Sequence, residues 1–165
     1  MEGIPCLPPQ IQHRAFLVPV EVRNALHYGV GHKGVFAMGH IAAGTKIFQM
    51  TDLVSKVHHS ELENKLTEMC TDDAAVYLRQ ACVFPDDLEH LFVSGEDAGR
   101  FVNHSSDPNI DNTVGAMRDI CPGEELVMDY GWLGNPGWYQ EFCAKFGVLT
   151  EREIANRFPA KQGGA

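Results

Sequence analysis

Nowhere in the 165 residues is there a run approaching the roughly 20 apolar residues of a membrane-crossing helix, so no span is expected. Nor does a basic stretch followed by an apolar one stand near Met1. Glu2 and several prolines occupy that place, and no secretory leader is read there. Basic residues are few: 13 Lys and Arg face 22 Asp and Glu, for a net charge of −9. Such a surface repels phosphate backbones and attracts basic peptides, which counts against nucleic acid as a direct ligand. The five cysteines, Cys6, Cys70, Cys82, Cys121 and Cys143, are scattered, and no two form a C-x-x-C pair. Neither a disulfide framework nor a zinc ribbon fits that spacing. No metal is expected, and an intracellular home, nucleus or cytoplasm, is expected over a secreted one.

What is present is an ordinary globular composition, 44% hydrophobic and 21% charged. The length predicts one compact domain whose core is large enough to hold a cleft. Strand-forming residues at 16–18 and 20–22 flank Pro19, which suits an edge better than a central strand. A glycine-rich stretch, Gly29 to Gly34, opens into a strand at 35–37, and a turn at 42–44 leads to another at 45–50. The middle reads as helical. Ser60 and Glu63 form a capping box ahead of Leu62, Leu66 and Met69, and Ala74, Tyr77, Leu78 and Ala81 make a second stripe that Pro85-Asp86-Asp87 breaks. Strands return at 91–93, 113–120 and 125–130. Asn135 as N-cap, Pro136 and Gly147 bracket a helix with Trp138, Phe142 and Phe146 on one side; Thr150 and Glu153 cap a last helix that Pro159 ends. Strands, then helices, then strands again give an α+β fold with short antiparallel sheets.

Two segments carry the chemistry. The first is Arg100-Phe101-Val102-Asn103-His104-Ser105-Ser106-Asp107-Pro108-Asn109, which alone reads first as an Asx/Ser turn satisfying its own backbone. The second is Glu124-Glu125-Leu126-Val127-Met128-Asp129-Tyr130-Gly131, whose terminal tyrosine read alone is a core or rim residue. In this order the pair resembles the SET-domain family of protein-lysine methyltransferases, matching its R-F-x-N-H-S-x-x-P-N and E-E-L-x-x-D-Y-G motifs. Upstream, Gly34-Val35-Phe36-Ala37 and Ile41-x-x-Gly44-Thr45-x-Ile47 are similar to the family's opening strands.

The resemblance implies a β-clip of short antiparallel sheets over 15–132, with a helical insert at about 52–90 and a pseudoknot that juxtaposes the two motifs. A helical extension at 133–159 follows, and 1–14 and 160–165 are expected to be flexible ends. It implies S-adenosylmethionine as cofactor, contacted by Gly31, Lys33, Gly34, Tyr77, Arg100, Phe101, Asn103, His104, Tyr130 and Trp132. Tyr130 is the implied catalytic residue, and Met128 with Tyr130 the implied substrate contacts. The implied partner is a basic, lysine-bearing protein or peptide, a histone tail being one such target.

This chain also departs from the family pattern. Ser106 stands where nuclear members often carry a zinc-binding Cys, and only Cys143 lies beyond Tyr130, so both halves of that zinc site are missing together. The pocket is then expected to be closed by the Trp132, Trp138 and Phe142 region, with Trp132 favoured. Met128 replaces the usual aromatic two residues before the catalytic tyrosine, which leaves mono-, di- and trimethylation open. His32 occupies the place of a usual glycine, and Tyr28 is a candidate second tyrosine. A homo-oligomer that completes the pocket with a neighbour's residues stays open.

The chemistry fits these residues. Methyl transfer from a sulfonium to an amine is an in-line displacement that needs a neutral amine, whereas a free lysine has a pKa of about 10.4. A nearby positive charge and a dry channel lower that pKa, and the rest is placement. A hydrolase triad built on His104-Ser105 with Asp107 or Asp129 is set aside, since no G-x-S-x-G elbow exists. His58, His59 and His90 show no metal-ligand spacing with a cysteine or carboxylate and are read as solvated. The reading from another class is a degenerate SET-like binding module without turnover.

Overall fold

The computed structural model describes residues 15–95 and 97–157; Pro159 and the two ends read as flexible lie outside the described residues. Strand β1, Val20–Asn24, begins directly after Pro19, which has no N–H to give a ladder. It pairs antiparallel with β2, Lys33–Ala37, in the register Val22 opposite Val35. The segments 16–18, 45–50 and 113–120 are not strands but a series of single bridges: Phe16 with Phe48, Lys46 with Gly115, Ile41 with Ile120 and Ile110 with Ala116. Each segment is extended, as its β-branched residues favour, yet changes partner after one residue. At 111–115 the cause is local. The Asp111 carboxylate accepts from the N–H groups of Thr113 and Gly115 at 2.8 and 3.0 Å, and Val114 turns through φ +59°.

The expected helical insert holds more sheet than its sequence suggests. Strands β3 (Ser55–His58), β4 (Ala81–Phe84) and β5 (Asp87–Val93) form an antiparallel sheet in the order β3-β5-β4. On it pack α1, His59–Thr67, and α2, Thr71–Arg79. Pro85-Asp86 is therefore a hairpin turn, with Phe84 paired to Asp87, and Ala81 opens a strand instead of closing a helical stripe. The α1 cap is His58, whose ring accepts from the Ser60 N–H, so Ser60 lies inside the helix. At nine residues each, α1 and α2 are shorter than the roughly 12–15 that hold in isolation. Packing holds them instead. Leu62, Leu66 and Leu78 are buried with Val83, Leu91, Tyr139 and Cys143, each leucine contributing about 1.5–3 kcal/mol against about 1 for a cap.

Helix α3, Gly137–Lys145, starts after Pro136 with no side-chain cap, so Asn135 does not play the expected role. Tyr139 and Cys143 form its buried edge, with Trp138, Phe142 and Phe146 half-buried beside them. Gly147 follows at φ +67°, the left-handed turn that ends helices most cheaply at glycine. Helix α4, Glu151–Arg157, has the expected capping box: Glu153 accepts from the Thr150 N–H at 2.8 Å, and Thr150 Oγ1 accepts from the Glu153 N–H at 3.3 Å.

The last pair, β6 (Asn103–His104) and β7 (Val127–Met128), is parallel, not antiparallel as expected for all the sheets. Parallel pairing needs a long crossing connection, and here the crossing wraps back over β7. Ser105, Asn109 and Ile110 all donate backbone N–H groups to carbonyls of Val127 or Met128. On the other side the Leu126 N–H reaches the Val35 carbonyl at 2.7 Å, so 124–128 lies between β2 and 103–110. A second core of Val35, Ile41, Ile47, Val102, Ile120 and Leu126 surrounds this threaded stretch. No helix among the described residues is long and apolar enough to cross a membrane.

Candidate active site

The Arg100 motif enters its site through a 3-10 turn, Ala98–Phe101, capped by the fully buried Asp97, whose carboxylate accepts from the Gly99 N–H at 2.8 Å. The Tyr130 motif enters through a second, Tyr130–Trp132, capped in the same way by Asp129 on Gly131. The parallel β6–β7 pairing sets the turns side by side. The Tyr130 N–H donates to His104 Nδ1 at 3.0 Å, and the Tyr130 hydroxyl donates to the Val102 carbonyl at 2.5 Å. His104 Nδ1 accepts, so its proton sits on Nε2. Burial raises the Tyr130 pKa well above that of a free phenol, with the Glu151 carboxyl and Cys82 thiol adding to it, so the hydroxyl stays a donor across the physiological range.

Beside these turns opens a cavity of about 1020 Å³ whose walls come from both hydrophobic cores. Of the residues singled out from the sequence, Arg100, Asn103, Met128, Tyr130 and Trp132 line it. Two buried N–H groups on these walls, Arg100 Nε and Trp132 Nε1, have no protein partner. Arg100 is otherwise held, by Nη1 donating to the Gly95 carbonyl and by its guanidinium over the Phe101 ring at 4.5 Å. Trp132 is the lining aromatic of the three proposed to close the pocket. Trp138 turns away and donates to the Leu88 carbonyl at 2.9 Å, and Phe142 packs on the insert core.

Six other expected contacts do not line the cavity. His104 and Phe101 stand behind it as supports for Tyr130 and Arg100. Gly31 and Lys33 are exposed, and the Lys33 carbonyl accepts from Asn103 Nδ2 at 2.8 Å. Tyr77 packs against the insert core beneath Lys65, whose Nζ lies 5.9 Å from its ring, because the helical turn that exposes Leu78 to the cavity points Tyr77 elsewhere. His32, the departure from the glycine pattern, is on the wall itself.

Gly34 is buried against another side chain. A Cβ there would overlap the Glu125 carboxylate, which lies across the loop. Glu125 accepts from Asn103 Nδ2 at 2.9 Å and pairs with His27 Nε2 at 2.9 Å. It also holds the hydroxyl of Tyr28, whose pKa burial and this carboxylate push up to about 12, so Tyr28 anchors the loop and does not line the cavity. Gly34→Ala is expected to lower stability by about 1–3 kcal/mol through this overlap, read from urea unfolding.

Glu151 was not visible from sequence, where it is one acid beside a capping box. The α4 packing against the Tyr130 turn brings it to the wall, with Oε1 accepting from the Tyr139 hydroxyl at 3.1 Å and Oε2 buried without a partner. Burial raises its pKa to about 7. The folded state then holds this proton more tightly than the unfolded chain, so stability is fully present below the unfolded pKa near 4.5 and falls as pH rises to about 7. Between pH 4.5 and 8 the wild type is expected to lose about 3 kcal/mol more than Glu151→Gln, measured by urea unfolding across that range.

The family model for the SET domain matches residues 32–131. Among solved structures, the chain is similar to the Neurospora SET domain protein DIM-5, a histone lysine methyltransferase, at a TM-score of 0.51 and 20% identity. The likeness covers 75% of this chain and 55% of that one, so this chain spans about half the length of that structure. No curated protein matches the sequence. The family match takes in more than half the residues, from the glycine loop through Asn103-His104 to Tyr130, and by it the chain belongs to the SET-domain family.

Proposed function

We propose that this protein is a protein-lysine N-methyltransferase that takes its methyl group from S-adenosylmethionine. The observation that carries the reading is the Tyr130 hydroxyl, fixed on the Val102 carbonyl at 2.5 Å at the wall of the cavity. The cavity fits the proposed cofactor. Its size is at the upper end for a small-molecule site, and Arg100 Nε and Trp132 Nε1 are buried donors still wanting acceptors, such as a carboxylate, hydroxyl or ring nitrogen supplies. S-Adenosylmethionine supplies an electrophilic methyl on a sulfonium.

The protein's own groups supply placement. Because Tyr130 spends its proton on Val102, its oxygen lone pairs remain to receive weak C–H···O contacts and to orient an amine. Glu151, with one buried oxygen unpartnered, offers a carboxylate to a lysine entering the same space. A carboxyl with its pKa raised to about 7 is also a better proton acceptor than an ordinary one. The net charge of −9 supports a basic target, with a histone tail as the first to try. The scattered cysteine spacing, with no C-x-x-C pair, is the basis on which a reducing intracellular compartment is proposed.

Incubation with labelled S-adenosylmethionine, core histones and unmodified lysine peptides is expected to label a basic protein, with calorimetry reporting cofactor binding. His32 on the wall favours a second reading, a binding module with an altered cofactor loop. Absence of both binding and label selects that reading.

A further inference from the structure

The largest group of histidines lies away from this cavity, where the insert meets α3. His58 ends β3, His59 begins α1, and Glu89 lies on the neighbouring strand β5, brought there by the pairing of His58 with His90. From sequence these histidines had no carboxylate at ligand spacing. The sheet provides one from 30 residues on: Glu89 Oε2 lies 3.1 Å from His59 Nε2 and 3.7 Å from His58 Nε2. The three ligand atoms all fall within 4.8 Å of one another. Two ligands about 2.1 Å from a tetrahedral zinc ion stand about 3.4 Å apart, and the separations of 3.1 and 3.7 Å bracket that value.

We propose that His58, His59 and Glu89 form a binding site for a divalent transition-metal ion of the zinc class. Two imidazoles and one carboxylate suit zinc, nickel or copper and do not suit magnesium or calcium, which take all-oxygen shells. The surroundings hold the ligands in place. The His59 ring stacks on Trp138 at 5.4 Å and 21°, and the Trp138 indole N–H is tied to the Leu88 carbonyl next to Glu89. Coordination through Nε2 puts the His58 proton on Nδ1, where Ser60 Oγ waits 2.8 Å away as acceptor. That exchange gives up the Ser60 N–H bond to the same nitrogen, the longer of the two at 3.2 Å. His90 lies outside this group of ligand atoms; its Nδ1 bonds Asp87 at 2.8 Å, and its ring meets His58 edge-on. Three protein ligands leave one position to water. The ion would clip β3 and the start of α1 to β5, with α3 held against it through Trp138.

The test is calorimetric titration of the untagged protein with zinc chloride, and with magnesium chloride in parallel. One equivalent of zinc is expected to bind and magnesium not. Glu89→Gln, at an exposed carboxylate that the fold does not depend on, and His59→Ala are each expected to weaken zinc by at least about tenfold, while His90→Ala binds as wild type. Circular dichroism confirms that each variant is folded. No zinc heat, equal zinc binding in all variants, or loss in His90→Ala alone would each overturn the assignment.

Discussion

Tyr130→Phe is expected to slow methyl transfer by about 100- to 1,000-fold while the protein stays folded. The substitution keeps the ring that meets His104 at 5.4 Å and the backbone N–H that anchors it, and removes one atom. That atom is the oxygen that donates to the Val102 carbonyl and, in the proposed reaction, faces the methyl and the amine. Its loss leaves the Val102 carbonyl unpartnered by the ring, which costs about 1–3 kcal/mol of stability. The two effects separate by measurement. Turnover under saturating cofactor reports placement, urea unfolding reports the lost hydrogen bond, and calorimetry reports whether the cofactor still binds. A variant that turns over like the wild type would remove Tyr130 from the chemistry. A variant that fails to bind cofactor would make it a wall residue only.

A larger effect on stability is expected at a residue outside the cavity. Asn109 is 1% exposed and makes the bonds that close the wrap over β7. Its Nδ2 donates to the Glu125 carbonyl at 2.8 Å, and its Oδ1 accepts from the Val127 N–H at 2.9 Å. Its own N–H reaches the Val127 carbonyl at 3.1 Å. Asn109→Ala leaves one buried donor and one buried acceptor of the main chain unsatisfied, each worth about 1–3 kcal/mol, so a loss of about 4 kcal/mol is expected in urea unfolding. Asn109→Asp separates the halves. It keeps the acceptor for Val127 but sets a carboxylate oxygen against the Glu125 carbonyl, and is expected to be no better than alanine. Because Glu125 also holds Asn103 and the glycine loop, activity is expected to fall with stability in both variants. A variant with wild-type stability would show that backbone bonds alone hold the wrap.

The motif residues reached the site by different routes. Tyr130, Arg100, Asn103, Met128 and Trp132 come together on the wall of one cavity. Gly34, His104 and Phe101 matter as supports, a distinction that spacing along the chain does not contain. Tyr77 shows why: adjacent helical residues point about 100° apart, so the neighbour of a lining residue such as Leu78 packs elsewhere. Strand β4 was missed because Ala81-Cys82-Val83-Phe84 is as apolar as a buried helix segment, and only pairing with β5 decides between them.

Short-range physics was legible in residues that answer to their near neighbours. The Thr150–Glu153 box, the glycine that ends α3, the start of β1 after Pro19 and the burial of Leu62 and Leu66 all follow from bonds or periodicities within a few positions. The sequence by itself thus determined an acidic α+β domain carrying two linked motifs. Tertiary structure alone decided the parallel β6–β7 pairing, the arrival of Glu151 at the cavity, the Glu125 carboxylate under Gly34, and Glu89 beside His58 and His59. Each of these joins groups 24 to 91 residues apart in the chain, apart from Glu151, which lies 21 from Tyr130. Such contacts depend on which of several equally extended segments wins a partner. That competition is settled by the simultaneous burial of both cores and the satisfaction of every buried backbone group, and no local window of sequence contains either.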